Sequence, residues 1–306
     1  MRTSRRPGAL LLPAAVLALT FTSSPSATAD PAASMIASCA PAASATAVPA
    51  GLPLLDWSEN VGYDAQGNLW VSRLFRNEVQ RYDSAGTLTA TVPVEFPGAV
   101  RLGPDGLLYV VYGDTPTSVV RPGGVVRFDP SDAVPTPEVF VAGFTMPNGA
   151  AFDPSGNLYV ATMSGVVRVR SDADVDIAWG EPVAGLAANG VAEYDGVLYV
   201  TTNGGPLGRI VRVPIAAPAD RSTVADLSSP LPGLPDFADD LLVDPDGILY
   251  VTTLAGQLVR VDPTSGAACV VLSGQPMTAV VAVPGHPDEL LAGTESGALL
   301  RIRLSR

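Results

Sequence analysis

DPDGILYVTT, residues 244–253, is one copy of a phrase that the chain states six times. The others are DAQGNLWVS (64–72), GPDGLLYVV (103–111), DPSGNLYVAT (153–162), YDGVLYVTT (194–202) and the looser HPDELLAGT (286–294). Each reads as a tight turn, a short strand of aliphatic and aromatic residues, and a small polar residue. The turn glycines Gly67, Gly106, Gly156, Gly196 and Gly247 lie 39, 50, 40 and 51 residues apart. A period of roughly 40–50 residues built from short strands predicts propeller blades. The expected fold is all-β, a six-bladed β-propeller. Such a ring has one central axis, so residues repeated at one blade position converge there.

Working outward from the phrase, each blade shows the same plan. An inner strand ends at the turn, and the phrase is the second strand. A third alternates, as in VVRFD (125–129), RIVRVP (209–214) and QLVRVD (257–262). A fourth follows, as in EVFVAG (138–143) and CVVLSG (269–274). The sixth copy stops after its third strand, LLRIRL (299–304). The segment around Ala47 to Leu55 is expected to supply the missing outer strand and close the ring, leaving no open edge. The propeller is assigned to residues 49–306.

The first 29 residues read as a secretory signal peptide. Arg2, Arg5 and Arg6 precede an apolar run, Ala9 to Phe21, which is too short to span a bilayer, and Ala27-Thr28-Ala29 forms a small-x-small cleavage site. Residues 30–48 are rich in Ala, Ser and Pro and read as a flexible lead-in. The protein is therefore expected to be secreted. Its net charge is −12, all 18 basic residues being Arg. An acidic chain without a basic stripe argues against nucleic acid and anionic membranes as partners. No later stretch is long and apolar enough for a membrane span, and a monomer is expected. Two cysteines in an exported chain predict a disulfide between Cys39 and Cys269.

The informative position lies five residues before the turn. There stand Glu59, Gly98, Asn148, Asn189 and Asp239. Four of these five carry a side-chain oxygen, and all would open an inner strand beside the channel. Two carboxylates and two amide oxygens form a hard donor set for one divalent cation, Ca²⁺ first, with Mg²⁺, Mn²⁺ or Zn²⁺ as other candidates. At any single position, Asn-Gly or Asp-Asp is equally a turn former; the common register points to a site.

On these residues the chain resembles the regucalcin, gluconolactonase and luciferin-regenerating-enzyme family of six-bladed propellers, and more distantly the paraoxonases. The resemblance spans roughly residues 50–306 and is strongest in NGVAEYDGVLYVTTNGG (189–205) and DDLLVDPDGILYVTT (239–253). It implies a metal held by Glu59, Asn148, Asn189 and Asp239, with Asp240 as an additional ligand. It also implies a small-molecule substrate and Asp239 as catalytic base in a lactonase-type hydrolysis. Two departures narrow the expectation. Met146 stands where gluconolactonase-like members carry a substrate-binding Arg, which weighs against a sugar acid. The chain has one His, His286, so it lacks the His pair of paraoxonases. No GxSxG, HExxH or Cys-His signature supports another hydrolase mechanism. Arg73 and Arg76, in the first blade's upper loop, are candidates for orienting an anionic substrate, and Tyr112 to Gly124 is a candidate lid. The competing reading is a non-catalytic propeller scaffold with a structural cation.

Overall fold

The computed structural model describes residues 36–202, 208–227 and 237–305; the signal peptide assigned to 1–29 lies outside them. Two short strands come first, β1 (Ala37–Ser38) and β2 (Ala43–Val48). Blade one is β3 (Ser58–Tyr63), β4 (Leu69–Arg73), β5 (Glu78–Tyr82) and β6 (Leu88–Pro93). Blade two is β7 (Pro97–Leu102), β8 (Leu108–Tyr112), β9 (Gly123–Phe128) and β10 (Glu138–Phe144). Blade three is β11 (Ala150–Phe152), β12 (Leu158–Thr162) and β13 (Gly165–Val169). Blade four is β14 (Ala188–Tyr194), β15 (Val197–Thr202), β16 (Gly208–Pro214) and β17 (Ser222–Leu227). Blade five is β18 (Ala238–Val243), β19 (Leu249–Thr253), β20 (Gln257–Val261) and β21 (Ala268–Ser273). Blade six is β22 (Met277–Val283), β23 (His286–Thr294) and β24 (Leu299–Arg303). Six sheets form a ring, as the repeat predicts.

The repeated phrase folds for local reasons. Asp64 Oδ1 accepts from the backbone N–H groups of Gln66 and Asn68, which fixes the turn, while Oδ2 accepts from Trp70 Nε1 at 2.9 Å. Asp153 does the same, its Oδ2 accepting from Tyr159 Oη at 3.0 Å. The aromatic of the phrase thus reports back to the turn that launched its strand. Leu108, Leu158, Leu198 and Leu249 on the same strands are fully buried. Each contributes about 1.5–3 kcal/mol by leaving water, so the blade interfaces carry the stability.

Two features differ from the sequence expectation. The strand that closes blade six is β2, paired antiparallel with β24 from Ala43↔Arg303 to Val48↔Leu299. It lies within 30–48, so the ring begins inside the segment read as a lead-in and not at 47–55. Residues 52–57 instead form a tight turn, with Asp56 N bonded to Leu52 O and Leu54 left-handed at φ 64°. An outer strand needs only backbone pairing, and the small residues ASATAV suffice for that. Ahead of it, β1 lies parallel on the outside of β21, and Cys39 and Cys269 form a disulfide with Cα atoms 5.2 Å apart.

Blade three has three strands among the described residues. After β13 the chain reads SDADVDIAWGEPVAG (171–185), with no alternation but with Asp, Gly and Pro. A single helical turn, α1 (Ile177–Gly180), takes the outer place. Asp176 caps it by accepting from Trp179 N, and the buried Trp179 ring meets Tyr159 at 5.0 Å.

Candidate functional site

Inner strands begin, and second strands end, at the same mouth of the channel. Four of the entries to inner strands share one backbone device. Phe96, Met146, Ala187 and Phe237 are left-handed, with φ of 42°, 45°, 47° and 49°. Each stands two residues before the informative position: Gly98, Asn148, Asn189 and Asp239. A non-glycine residue held there costs of order 1–3 kcal/mol, which the ring around it must sustain. Register shifts follow three of them at once, between Pro97 and Val100, Ala188 and Val191, and Ala238 and Leu241, and blade one has its own between Ser58 and Asn60. Such bulges re-aim side chains. Neighbouring residues that would alternate across a regular strand are here both turned inward.

The glycines of the two Asn-Gly pairs are explained by neighbours. A Cβ on Gly149 would stand 2.5 Å from Asn189 O, and one on Gly190 would stand 2.6 Å from Asp239 O. Gly149 N donates to Asn189 O at 2.8 Å. The inner strands of blades three, four and five are thus drawn backbone to backbone at the site, and only glycine permits it.

Two layers of polar side chains result. In the outer one, Glu59 is buried, its Oε2 accepting from Trp57 Nε1 and its Oε1 from Asn148 Nδ2 at 2.9 Å. Asn148 Nδ2 also donates to Asp114 Oδ2 at 2.9 Å. Asp239 is buried close enough to feel Glu59 and Asp114. Asn189 Oδ1 is buried and has no hydrogen-bond partner. In the inner layer, Asp240 Oδ2 accepts from Asn60 Nδ2 at 3.2 Å and from Val280 N at 3.4 Å. Its Oδ1 lies 3.5 Å from Arg101 Nη2. Arg101 also donates to Asn60 Oδ1 and to the carbonyls of Ala150 and Val100, plugging the channel. Below it a cavity of about 420 Å³ opens at the opposite mouth, lined by all six inner strands.

Burial raises the pKa of Glu59, with hydrogen bonds from Asn148 and Trp57 pulling the other way. Asp114 is held well above the usual carboxylate range by burial and by the Glu59 charge. Asp239 is likewise well above it, through burial first and then Glu59, Asp240, Asp114 and Glu295. Burial raises Asp240 too, but Arg101 opposes it. Three carboxylates thus crowd the outer layer with no basic side chain of the described residues against them, while Asp240 has a guanidinium.

Of the residues singled out from the sequence, Glu59 and Asn148 touch directly and Asp239 joins them electrostatically. Asn189 contributes its unpartnered oxygen, and Asp240 sits one layer deeper. Asp114 was not foreseen. It falls in the loop between β8 and β9, after a Tyr-Gly pair that carries no repeat signal. That loop is built into the mouth: Pro116–Val119 form a 3₁₀ turn, and Ser118 Oγ accepts from Met146 N at 2.7 Å. Arg73 and Arg76 do not face the channel as free cations. Arg73 is buried and bonded to Gln80, Asp56 O, Gly297 O and Tyr82, and Arg76 pairs with Asp56. His286 is exposed at the start of β23, beside Glu289.

Among the described residues, no group of three or more His, Cys, Asp or Glu side chains is gathered in a form that could hold a metal ion. A cation here would need the mixed carboxylate–amide set. That set is all oxygen and includes a buried amide oxygen with no partner, the chemistry suited to a hard divalent ion.

Comparison with solved structures places the ring. A gluconolactonase from Xanthomonas campestris superposes with a TM-score of 0.65, at 18% identity over 90% of this chain and 99% of that one. Regucalcin from Agrobacterium tumefaciens, described as a calcium-binding protein, gives 0.66 at 17% identity over 88% and 96%. The fold is that of gluconolactonase and regucalcin. A PQQ-bound aldose sugar dehydrogenase from Streptomyces coelicolor gives 0.66 as well, at 19% identity over 88% and 100%, so the fold alone does not select a reaction. No protein-family model and no curated protein matches the chain. Among the described residues, no helix is long and apolar enough to cross a membrane.

Proposed function

We propose that this chain is an exported, divalent-cation-dependent hydrolase of lactones or related cyclic esters, with Asp239 as general base. The observation that carries it is the polar cluster at one mouth of the ring, where Asn148 bonds both Glu59 and Asp114, Asp239 lies close enough to feel both, and the neighbouring inner strand carries the buried, unpartnered Asn189 Oδ1. Glu59, Asn148, Asn189 and Asp239 would hold the cation, with Asp114 against Glu59. When bound, the cation would polarise the substrate carbonyl and acidify a water molecule.

The chain's own residues supply the rest. Asp239, a buried carboxylate beside Glu59 and Asp114, is the group that would take a proton from attacking water. Trp57 and Asn148 fix the Glu59 carboxylate from two sides, so it needs no reorganisation on binding. A cyclic ester suits this arrangement because its hydrolysis needs water and a base but no side-chain nucleophile. Export is supported by the pattern of the first 29 residues and by the Cys39–Cys269 bridge. A lactone panel assayed with chelator, then with restored Ca²⁺, tests the reading. Hydrolysis should vanish and return. A calcium-loaded protein that opens no lactone would leave the scaffold reading in its place.

A further inference from the structure

The mouth above this site is apolar. Among the described residues, eight of the twelve exposed large hydrophobic side chains lie on this face of the ring. Three are leucines of the 49–57 connection. The other five are Phe75, Val119, Val120, Met163 and Phe237, exposed by 43%, 66%, 80%, 50% and 41%. These five are tied to the site residues. Phe75 packs edge-on against Trp57 at 5.8 Å, and Trp57 donates to Glu59. Val119 and Val120 end the loop that Asp114 begins, and that loop is fastened to Met146 through Ser118. Met163 N is bonded to Thr145 O, just ahead of Met146 and Asn148. Phe237 is the left-handed residue that leads into Asp239.

Charge selects among occupants. Among the described residues, the three basic side chains bordering this mouth each have a partner within the protein. Arg73 is buried in backbone and side-chain bonds, Arg76 is paired with Asp56, and Arg121 is paired with Glu95 at 2.9 Å. An alkyl or aryl group would find apolar surface on several sides, at Phe75, Val119, Val120, Met163 and Phe237.

Resting on the hydrolase reading above, we propose that the substrate is an uncharged lactone or ester with an apolar chain or ring, seated against Phe75, Val119, Val120, Met163 and Phe237. The test follows binding by Trp57 fluorescence and calorimetry, and turnover separately. The probes are γ-valerolactone, γ-octalactone, γ-dodecalactone and D-glucono-δ-lactone, with the alkyl lactams as non-hydrolysable counterparts. Affinity should rise about two- to fourfold per methylene through the series, the gain expected for partial to full burial. Phe75→Ser and Val120→Ser should each flatten that rise, while Val134→Ser, equally exposed on another face, should leave it intact. Lactams that bind with the same chain-length dependence but lactones that are not opened would support the apolar seat and sink the hydrolase reading. Lactones opened with no dependence on chain length, or glucono-lactone bound as tightly as dodecalactone, would overturn the apolar seat alone. An elution volume that shifts in Phe75→Ser, with no ligand bound by the parent, would assign the patch to self-association and overturn it too.

Discussion

Asp239 and Asp240 are neighbours in sequence and opposites in surroundings. Asp239 feels four other acids, Glu59, Asp240, Asp114 and Glu295, whereas Asp240 faces Arg101. Their neutral variants should therefore differ in kind. Asp239→Asn removes a base and a buried like-charge repulsion. It should lower lactone turnover by about 10²–10⁴-fold while raising the melting temperature of the metal-free protein. Asp240→Asn leaves the half-buried Arg101 guanidinium without its counter-charge, so it should cost stability by roughly 1–3 kcal/mol and retain more turnover per folded molecule. Melting curves and active-site-normalised rates distinguish them; equal loss of turnover in both would mean that the base is misassigned. Asn189→Ala should weaken calcium binding in calorimetry while preserving the fold, because Asn189 Oδ1 has no partner within the protein to lose. The sequence reached Glu59, Asn148, Asn189 and Asp239 because the repeat numbers them. It missed Asp114 because a loop residue has no register. It ranked Asp239 ahead of Asp240 by register and by resemblance, but their different depths follow from the bulge between Ala238 and Leu241, which no sequence pattern announces.

The inner strands owe their closeness to glycine. Gly149→Ala would push a methyl group into Asn189 O, an atom of a neighbouring inner strand that cannot swing aside. We expect a loss of about 1–3 kcal/mol in urea unfolding, with metal affinity falling along with it because Asn189 moves. A fully stable Gly149→Ala protein would show that the strands can part. The same glycines in sequence look like turn formers, and in blades three and four that reading is replaced by close backbone approach. Element types were otherwise legible wherever alternation is strong. Blade three departs because Asp172, Asp174, Gly180 and Pro182 break any fourth strand, and Trp179 covers the edge instead. The closing strand departs because ASATAV has no apolar alternation, and its partner β24 alone defines it.

Acidity should act on the ring in two opposite ways. The raised carboxylates Glu59, Asp114, Asp239 and Asp240 bind protons more tightly folded than unfolded. Their contribution is fully present below the ordinary carboxylate range near 4 and is lost as pH rises through their folded values. Asp56, Asp176 and Glu289 are lowered, by Arg76, by Arg168, and by Arg303 with Arg301. Their contribution is present above that range and lost as pH falls through the folded values. In chelator, the melting temperature should therefore rise as pH is lowered from 7 toward about 5, then fall in stronger acid. Excess Ca²⁺ should raise the neutral limb and flatten it. A monotonic fall from pH 7 in chelator would refute the crowding of carboxylates at the mouth. Reducing Cys39–Cys269 should cost about 2–5 kcal/mol, since the bridge closes a loop of 230 residues.

That bridge and strand β2 also impose an order in time. The parts that lock the ring are made first and used last. At synthesis rates of roughly 5–20 residues per second, Cys39 precedes Cys269 by on the order of 10–50 s, and β2 waits longer still for β24. Until then five blades stand as an open arc whose ends expose unpaired backbone, and Cys39 is a lone thiol on a loose thread. Any other thiol or strand edge that meets the nascent chain in this interval competes for the same bonds. The fastening that makes the finished ring hard to open is therefore also the step at which its assembly is most exposed to error.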